Sequence, residues 1–377
     1  MSAPNTMRRR LLTAVAALST ASIPCPARPG SADPQPRNPN VEYGKNTLPA
    51  GIRSRRVYNN NGVTMHLLEA GFEIPGRRCV VLLHGFPELA YTWRNQLLPL
   101  AAAGYHVIAP DLRGYGRSTP APVQYDDDLL PYTGLNRVSD VLGLVRALGF
   151  ERVAAAEDFD IQKALATLSH PRQHYWWYSA TPGANENMWH APQGVHDLLR
   201  AMYHYKSADW PGNKPFPLKA WTAPELAKMP TYYIMDLDQG IAETMAAHMP
   251  SQAQVAACRW LTEQDLQVYS TEYIRTGFQG GLNYYRILTD PRFDADLNSF
   301  SGRTIDVPAM FIGGAHDWGV RQSPGAFERM QHGACTRLLG VHLIDGAGHW
   351  MPEEQPQQVN PLLIEFLHRA SAAPSRG

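Results

Sequence analysis

The chain has few cysteines and no excess of either charge. Four cysteines occur in 377 residues, and three of them, Cys79, Cys258 and Cys335, are widely spaced, which argues against a disulfide framework. Lys plus Arg and Asp plus Glu number 34 each, so no net field favours nucleic acid or an anionic membrane. No CxxC, HExxH or GxxxxGK[ST] motif is present. We therefore expect no metal, no nucleotide cofactor and no nucleic-acid partner.

The first 32 residues have the pattern of an export signal. The stretch MRRRLLTAVAALSTASI (7–23) joins a basic segment to an apolar run that is too short to span a bilayer. Small residues allow cleavage after Ala32, and the run from Arg8 to Leu12 resembles a twin-arginine signal. We predict export by the Sec or twin-arginine route, followed by a flexible arm at 33–50. A disordered basic tail is the alternative.

Apolar runs alternate with helical patterns over residues 51–158. The runs RCVVLLHG (78–85) and HVIAPD (106–111) are typical of buried parallel strands, and RVAAA (152–156) is a weaker third strand. TWRNQLLPLAAAGY (92–105) and RVSDVLGLVRALGF (137–150) predict helices. This alternation predicts an α/β fold with a mostly parallel sheet and helices on both faces.

The alternation stops at residues 159–300, where Trp, Tyr, His, Met and Pro become frequent. It resumes with VPAMFIGG (307–314) and TRLLGVHLIDGAGHW (336–350). A last helix is predicted over VNPLLIEFLHRA, where Asn360 and Pro361 form either its N-terminal cap or a kink. The length and the 44% hydrophobic content allow one large domain with an insertion. We predict one core, divided into 51–158 and 301–377, with a mainly helical cap at 159–300.

Three motifs follow predicted strands in a fixed order: HGFPELAYTWR (84–94), DLRGYGRS (111–118) and DGAGHW (345–350). Together they closely resemble the epoxide-hydrolase branch of the α/β-hydrolase fold, from about residue 55 to the C-terminus. The resemblance implies a cofactor-independent enzyme acting on a small apolar epoxide. In that chemistry an aspartate attacks a ring carbon and forms an ester, and a histidine activates the water that releases a diol.

The resemblance identifies His349, in DGAGHW, as the base, and Asp317, in GGAHDWG, as the acid that orients it. A surface or core histidine is the alternative for His349. HDWG also resembles the family's nucleophile segment, so Asp317 has two alternatives, a helix N-cap and a displaced nucleophile. Its position after the penultimate strand, with no long cap following it, favours the orienting role.

Two cap tyrosines are implied as hydrogen-bond donors to the opening epoxide oxygen: Tyr175, in HYWWYSATPG, and Tyr269, in LQVYSTEYIRTG. Phe86 is implied to supply an oxyanion-binding backbone N–H beside a cis bond to Pro87, with Glu88 and Trp93 as nearby pocket walls. The other cap aromatics are predicted as packing residues: Tyr178, Tyr273, Tyr284, Tyr285, Trp189, Trp210 and Trp221.

The segment RVAAAEDFD (152–160) departs from the family pattern. Asp158 stands at the nucleophile's place, but Glu157 replaces a histidine, and Ala156 and Asp160 replace the two glycines. The helix and the strand that should follow are missing, a gap of roughly 30 residues. Glycines permit the tight turn that exposes the nucleophile, and neighbouring carboxylates raise one another's pKa. We therefore predict that Asp158 is a loop acid rather than an efficient nucleophile.

Three other functions remain open from the sequence. The chain could be an impaired relative that only binds apolar ligands in the cleft. A haloalkane dehalogenase would need halide-binding tryptophans beside the nucleophile, and the paired cap tyrosines disfavour it. An esterase is disfavoured because no GxSxG motif occurs.

Overall fold

The computed structural model describes residues 47–148, 161–297 and 303–372. The predicted export signal, most of the 33–50 arm and Asp158 lie outside these ranges.

The first half of the core forms a mixed four-stranded sheet in the order β1-β2-β4-β3. Its strands are β1 (Arg53–Asn60), β2 (Val63–Ala70), β3 (Cys79–Val81) and β4 (His106–Pro110). The β1–β2 and β2–β4 ladders are antiparallel, and only β3–β4 is parallel. A two-residue turn joins β1 to β2, and both its residues, Asn61 (φ 49°) and Gly62 (φ 75°), are left-handed. This conformation is typical of an Asn-Gly hairpin.

Helices cover both faces of this sheet, as predicted. They are α1 (Arg94–Ala102) and α2 (Gly134–Leu148). Along β2, successive side chains point to opposite faces. Leu68 belongs to the large core cluster with Leu97 of α1, whereas Leu67 packs in a smaller cluster with Leu144 of α2.

Residues 161–297 are mainly helical, with one short antiparallel ribbon formed by β5 (Arg172–His174) and β6 (Ile234–Asp236). The helices in this range are α3 (Gln162–Ala166), α4 (Tyr175–Ser179), α5 (Gly183–Trp189), α6 (Gly194–Lys206), α7 (Ala223–Leu226), α8 (Ile241–Ala246), α9 (Gln252–Ala257), α10 (Glu263–Thr276), α11 (Gln279–Thr289) and α12 (Asp294–Leu297). Their buried side chains join those of the first sheet in a single cluster.

The C-terminal part adds a parallel pair, β7 (Ala309–Gly314) and β8 (Leu338–Ile344). Between and after these strands lie α13 (Ala326–Arg329), α14 (Met351–Glu354) and α15 (Pro356–Ala372). Helix α15 begins earlier than the sequence predicted and contains Pro361 in its interior. The prediction of Asn360 as the N-terminal cap is therefore wrong, and the alternative that places Pro361 within a helix stands. The Asn360 side chain bridges α15 to Asn95 and Gln96 of α1.

The core strands form two separate sheets rather than the one mostly parallel sheet that the sequence predicted. Within the described ranges, no hydrogen-bonded ladder joins β3 to β7. Val81 on β3 and Met310 and Ile312 on β7 are only partly buried, whereas central parallel strands normally have both faces covered. A division at this place matches the missing strand and helix inferred from the sequence around residue 158.

Candidate active site

His349 and Asp317 meet at the ends of the two C-terminal strands. Asp317 follows β7 and His349 follows β8, and the His349 Nδ1 atom lies 3.1 and 3.2 Å from the two carboxylate oxygens of Asp317. Because the carboxyl ends of adjacent parallel strands meet at one sheet edge, this pairing follows directly from the topology. The predicted contact between the two side chains is present.

The charge of Asp317 fixes the tautomer of His349. Burial raises the pKa of Asp317, but the His349 charge and hydrogen bond, the Gly319 N–H and the Lys206 charge together hold that pKa below its ordinary value. An ionised carboxylate only accepts hydrogen bonds, so Nδ1 of His349 carries a hydrogen and donates it. The Nε2 atom is then free to accept a proton. Asp317 also caps a short 3₁₀ turn, because its side chain accepts from the Gly319 N–H at 2.7 Å.

The loop that carries His349 is held by backbone contacts. The backbone N–H of His349 donates to the carbonyl of Lys206, the last residue of α6, at 2.9 Å. The Glu354 carboxyl group accepts from the N–H groups of Gly348 and Trp350, each at 2.9–3.0 Å. A Cβ at Gly348 would lie 2.5 Å from the Lys206 carbonyl oxygen, so only glycine allows the loop to approach α6 this closely.

The HGFP and DLRGYG segments are joined by two buried polar side chains. His84 donates from Nδ1 to the Gly85 carbonyl and accepts from the Leu112 N–H on Nε2, an arrangement consistent with burial lowering the pKa of His84. Asp111 accepts from the N–H groups of Ala90 and Arg117. The Phe86–Pro87 bond is cis, as the resemblance implied.

A small cavity lies beneath the cap and is lined by Phe86, Tyr175, Lys206, Tyr232 and Tyr285, together with several methionines. Its volume is about 30 Å³, which is enough for one or two water molecules. Admission of a substrate therefore requires the cap residues to move apart.

Two tyrosines of the cavity wall come from different cap helices. Tyr175 begins α4 and Tyr285 lies in α11, and their ring centroids are 5.7 Å apart. Burial raises the pKa of Tyr175, with a smaller contribution from the Asp317 charge. Burial likewise raises the pKa of Tyr285, with contributions from Tyr175 and Tyr115. Both hydroxyls therefore stay protonated at neutral pH and can donate hydrogen bonds.

The position of Tyr269 does not fit the predicted donor role. Its side chain is fully buried and its hydroxyl donates to Glu353 at 2.8 Å. Glu353 also binds Arg94, with 2.6 Å between Nη1 and Oε2. The side chain of Tyr269 is bonded within this buried cluster and is not among the residues that line the cavity. The prediction that Tyr269 donates to the opening epoxide oxygen is therefore wrong.

Tyr285, which was predicted as a packing residue, lines the cavity beside Tyr175 and so occupies the position expected for the second donor. It lies in the stretch GGLNYYR, which follows the Tyr269 segment along the chain. A Cβ at Gly280 would lie 2.2 Å from the Gly114 carbonyl oxygen. The glycine therefore lets α11 pack directly on the DLRGYG loop, which carries Tyr285 to the cavity.

Phe86 lines the cavity, whereas the two predicted pocket-wall residues, Glu88 and Trp93, are not among the residues that line it. Glu88 accepts hydrogen bonds from the Gly85 N–H and the Thr92 hydroxyl, and burial raises its pKa, with a further contribution from Glu353. Trp93 is 8% exposed and belongs to the main core cluster. Glu88 therefore supports the turn that holds Phe86 through its bond to the Gly85 N–H, and Trp93 is a core residue.

Known proteins are similar to this chain in sequence and in fold. An alpha/beta hydrolase fold family model matches residues 78–179. Epoxide hydrolase A of Mycobacterium tuberculosis is 34% identical over 349 residues, covering 84% of this chain and 98% of the relative. The chain belongs to the epoxide hydrolase family. Epoxide hydrolase 1 of Siraitia grosvenorii is 30% identical, with 81% and 96% covered.

Solved structures of this family have the same overall fold. An epoxide hydrolase from an endophytic Streptomyces matches with a TM-score of 0.67 and 28% identity, over 86% of this chain and 98% of that chain. Epoxide hydrolase A from Mycobacterium thermoresistibile matches with a TM-score of 0.61 and 29% identity, over 84% and 98%. The α/β-hydrolase fold that the motifs indicated is thus confirmed, and no comparison favours a dehalogenase or an esterase.

Two further properties of the described residues bear on the site. Within these ranges no group of three or more His, Cys, Asp or Glu side chains could hold a metal ion. No helix in the same part of the chain is both long and apolar enough to cross a bilayer.

Proposed function

We propose that this chain adds water to an epoxide and releases a vicinal diol. The observation that carries the proposal is that Tyr175 and Tyr285 line the cavity and that the His349–Asp317 pair is linked to its wall. The His349 N–H donates to Lys206, which lines the cavity, and the Asp317 charge contributes to the raised pKa of Tyr175. A general base and two hydroxyl donors near one cavity match what epoxide opening requires. The base must deprotonate water while the donors stabilise charge on the opening oxygen.

The proposed proton path uses His349 as base and Asp317 as its partner. Nε2 of His349 takes a proton from water, whose oxygen bonds to carbon as the ring C–O bond breaks. The alkoxide that forms is held by the hydroxyls of Tyr175 and Tyr285 and takes a proton from solvent to give the second alcohol, while the His349 imidazolium returns its proton to solvent. Asp317 stabilises the imidazolium through its hydrogen bond to Nδ1.

The water that His349 activates can enter the reaction at either of two steps. If Asp158 attacks the epoxide first, His349 activates water to hydrolyse the resulting aspartyl ester. If Asp158 is not a nucleophile, the same base directs water onto the epoxide carbon itself. We favour the second route in this chain because RVAAAEDFD lacks the glycines and the helix that would form a nucleophile turn.

The test is diol formation from a styrene-oxide-type substrate by the purified chain, with His332→Gln as a surface control and circular dichroism to verify folding. A base contributes about 10²–10⁴ in rate, so diol should form above the buffer rate, although slowly. A folded chain that gives no diol above buffer would contradict the proposal and favour the alternative of a ligand-binding relative. The two separate core sheets are the observation behind that alternative.

The donor assignment is tested by a matched pair of tyrosine variants. Tyr285→Phe should lower diol formation by about 10²–10³, toward the buffer rate, because one donor to the developing oxyanion is lost. Tyr269→Phe should leave the rate nearly unchanged but destabilise the protein by about 1–3 kcal/mol, because a buried hydrogen bond to Glu353 is removed. Rate assays and thermal melts of both variants check this. A large loss of rate in Tyr269→Phe, with the rate of Tyr285→Phe nearly unchanged, would instead identify Tyr269 as the donor.

We also propose that the chain is exported after removal of residues 1–32. The basic and apolar pattern of residues 7–23 and the small residues before Asp33 support this. N-terminal sequencing of protein from the exported fraction should begin near Asp33. An intact Met1 on protein found in the cytoplasm would contradict export.

A further inference from the structure

One charged side chain of the cavity wall has no role in the proposed reaction. Lys206 is the last residue of α6, and its carbonyl accepts from the His349 N–H at 2.9 Å. The residue is 8% exposed and lines the cavity. The residue that carries this ammonium group therefore also holds the backbone of His349, the proposed base, in place.

Aromatic rings surround this ammonium group. Its Nζ lies 4.9 Å from the ring centroid of Tyr233 and 5.4 Å from those of Tyr175 and Tyr232. These distances are within the range of cation–π attraction. Among the described residues, no carboxylate lies within 4.0 Å of this nitrogen and no hydrogen bond to it is made.

The two carboxyl groups whose charges act on Lys206, Asp317 and Glu88, are already hydrogen-bonded to other groups. Asp317 is bonded to His349 and to the Gly319 N–H, and Glu88 is bonded to Gly85 and Thr92. Burial lowers the pKa of Lys206 to about 8, although the charges of Asp317 and Glu88 oppose this. A group with that pKa is still mainly charged at pH 7. An ammonium group buried without an ion-pair partner is costly, so an anion entering the cavity would gain a strong partner there.

We propose that Lys206 binds the carboxylate of the substrate, so that the preferred ligand is a small epoxide that also bears a carboxylate group. The proposal rests on the proposed function for the reacting end of the ligand, whereas the carboxylate site itself is defined by Lys206. A single cation in a wall of tyrosines and apolar residues such as Met202, Met235 and Ile241 suits one carboxylate with an apolar body. A phosphate would bring a second charge and need more donors.

The experiment compares two inert ligands of equal shape, phenylacetate and phenylacetamide, by calorimetry on the full chain at pH 7. A hydrogen bond to a charged partner corresponds to about 10–100-fold in affinity. The unmodified chain should bind the carboxylate at least about 10-fold more tightly than the amide. Lys206→Met should bind the acid and the amide about equally, and Lys206→Arg should keep the preference for the acid. Because this experiment measures binding without turnover, its result does not depend on whether the chain forms a diol.

A pH series separates anion binding from a purely structural role. Carboxylate affinity of the unmodified chain should fall as pH rises through about 8, because the ammonium group is charged below its pKa and neutral above it. The series runs from pH 7 to 9.5, where Asp317 stays ionised and Tyr175, Tyr232 and Tyr233, whose pKa values are raised, stay protonated. Glu88, whose pKa is also raised, is controlled for by Lys206→Arg, which retains any effect of Glu88 but should remove the step at pH 8.

Either of two results would overturn the carboxylate site. One is equal binding of acid and amide by the unmodified chain, which needs no variant. The other is an unchanged preference for the acid in a folded Lys206→Met protein, or in Lys206→Gln if the methionine variant does not fold.

Discussion

Inserting a strand–turn–helix segment of the family type after Ala155 is expected to raise diol formation by about 10⁴-fold. The added segment would supply three missing features: a strand between β3 and β7, a glycine-flanked aspartate, and a helix that follows it. One backbone donor at an oxyanion is typically worth about 10²–10³ in rate, and correcting a nucleophile misplaced by about 1 Å is worth about 10² more. The measurement is the initial rate of diol release from one epoxide by both proteins.

The matched control carries the same insert with asparagine in place of its aspartate. That protein should have the added strand but not the gain in rate, because the amide is a poor nucleophile. An equal gain from both inserts would show that the added strand acts by stabilising the sheet. No gain from the aspartate insert in a folded protein would contradict the view that the rest of the site is ready for catalysis.

His349→Gln is expected to lower diol formation by about 10²–10⁴ in the unmodified chain and in the chain with the insert. Glutamine has no titratable nitrogen, so neither direct attack by water nor hydrolysis of an ester can use it as a base. His332→Gln is the matched control because His332 is exposed and bonded only to the Glu328 carbonyl among the described residues. Rates within a few-fold of the parent for His349→Gln would remove His349 from the mechanism.

The pairing of His349 with Asp317 could be predicted because it depends on topology. Each residue follows a run of apolar residues that forms a strand, and parallel neighbouring strands end at the same edge. The same logic predicted helices on both faces of the first sheet. The β1–β2 hairpin was not predicted, although Asn61-Gly62 is a strong hairpin signal.

The choice between Tyr269 and Tyr285 could not be made from sequence alone. Both residues lie in aromatic-rich helical segments, α10 and α11, and either could face the cavity. Which side of α10 is buried depends on its packing against α6, where the Tyr269 ring lies 5.2 Å from that of Tyr203. That contact is between residues 66 positions apart in the chain, so no local pattern reports it.

The burial of Lys206 in the cavity wall could not be predicted from the sequence, for a related reason. A lysine at the end of a helix is usually a solvated charge near the helix C-terminus. Here the His349 loop closes over the end of α6, and three tyrosines from other segments surround the side chain. Only the tertiary structure converts this residue into a buried cation.

The most direct test of the central claim compares diol formation by the unmodified chain and by Asp158→Asn. The claim is that the base, its acid and the tyrosine donors are retained, and that no efficient nucleophile acts at residue 158. It predicts slow diol formation at the same rate in both proteins, with each shown to be folded. Rapid diol formation by the unmodified chain that Asp158→Asn abolishes would contradict it, because Asp158 would then be a working nucleophile in a shortened turn.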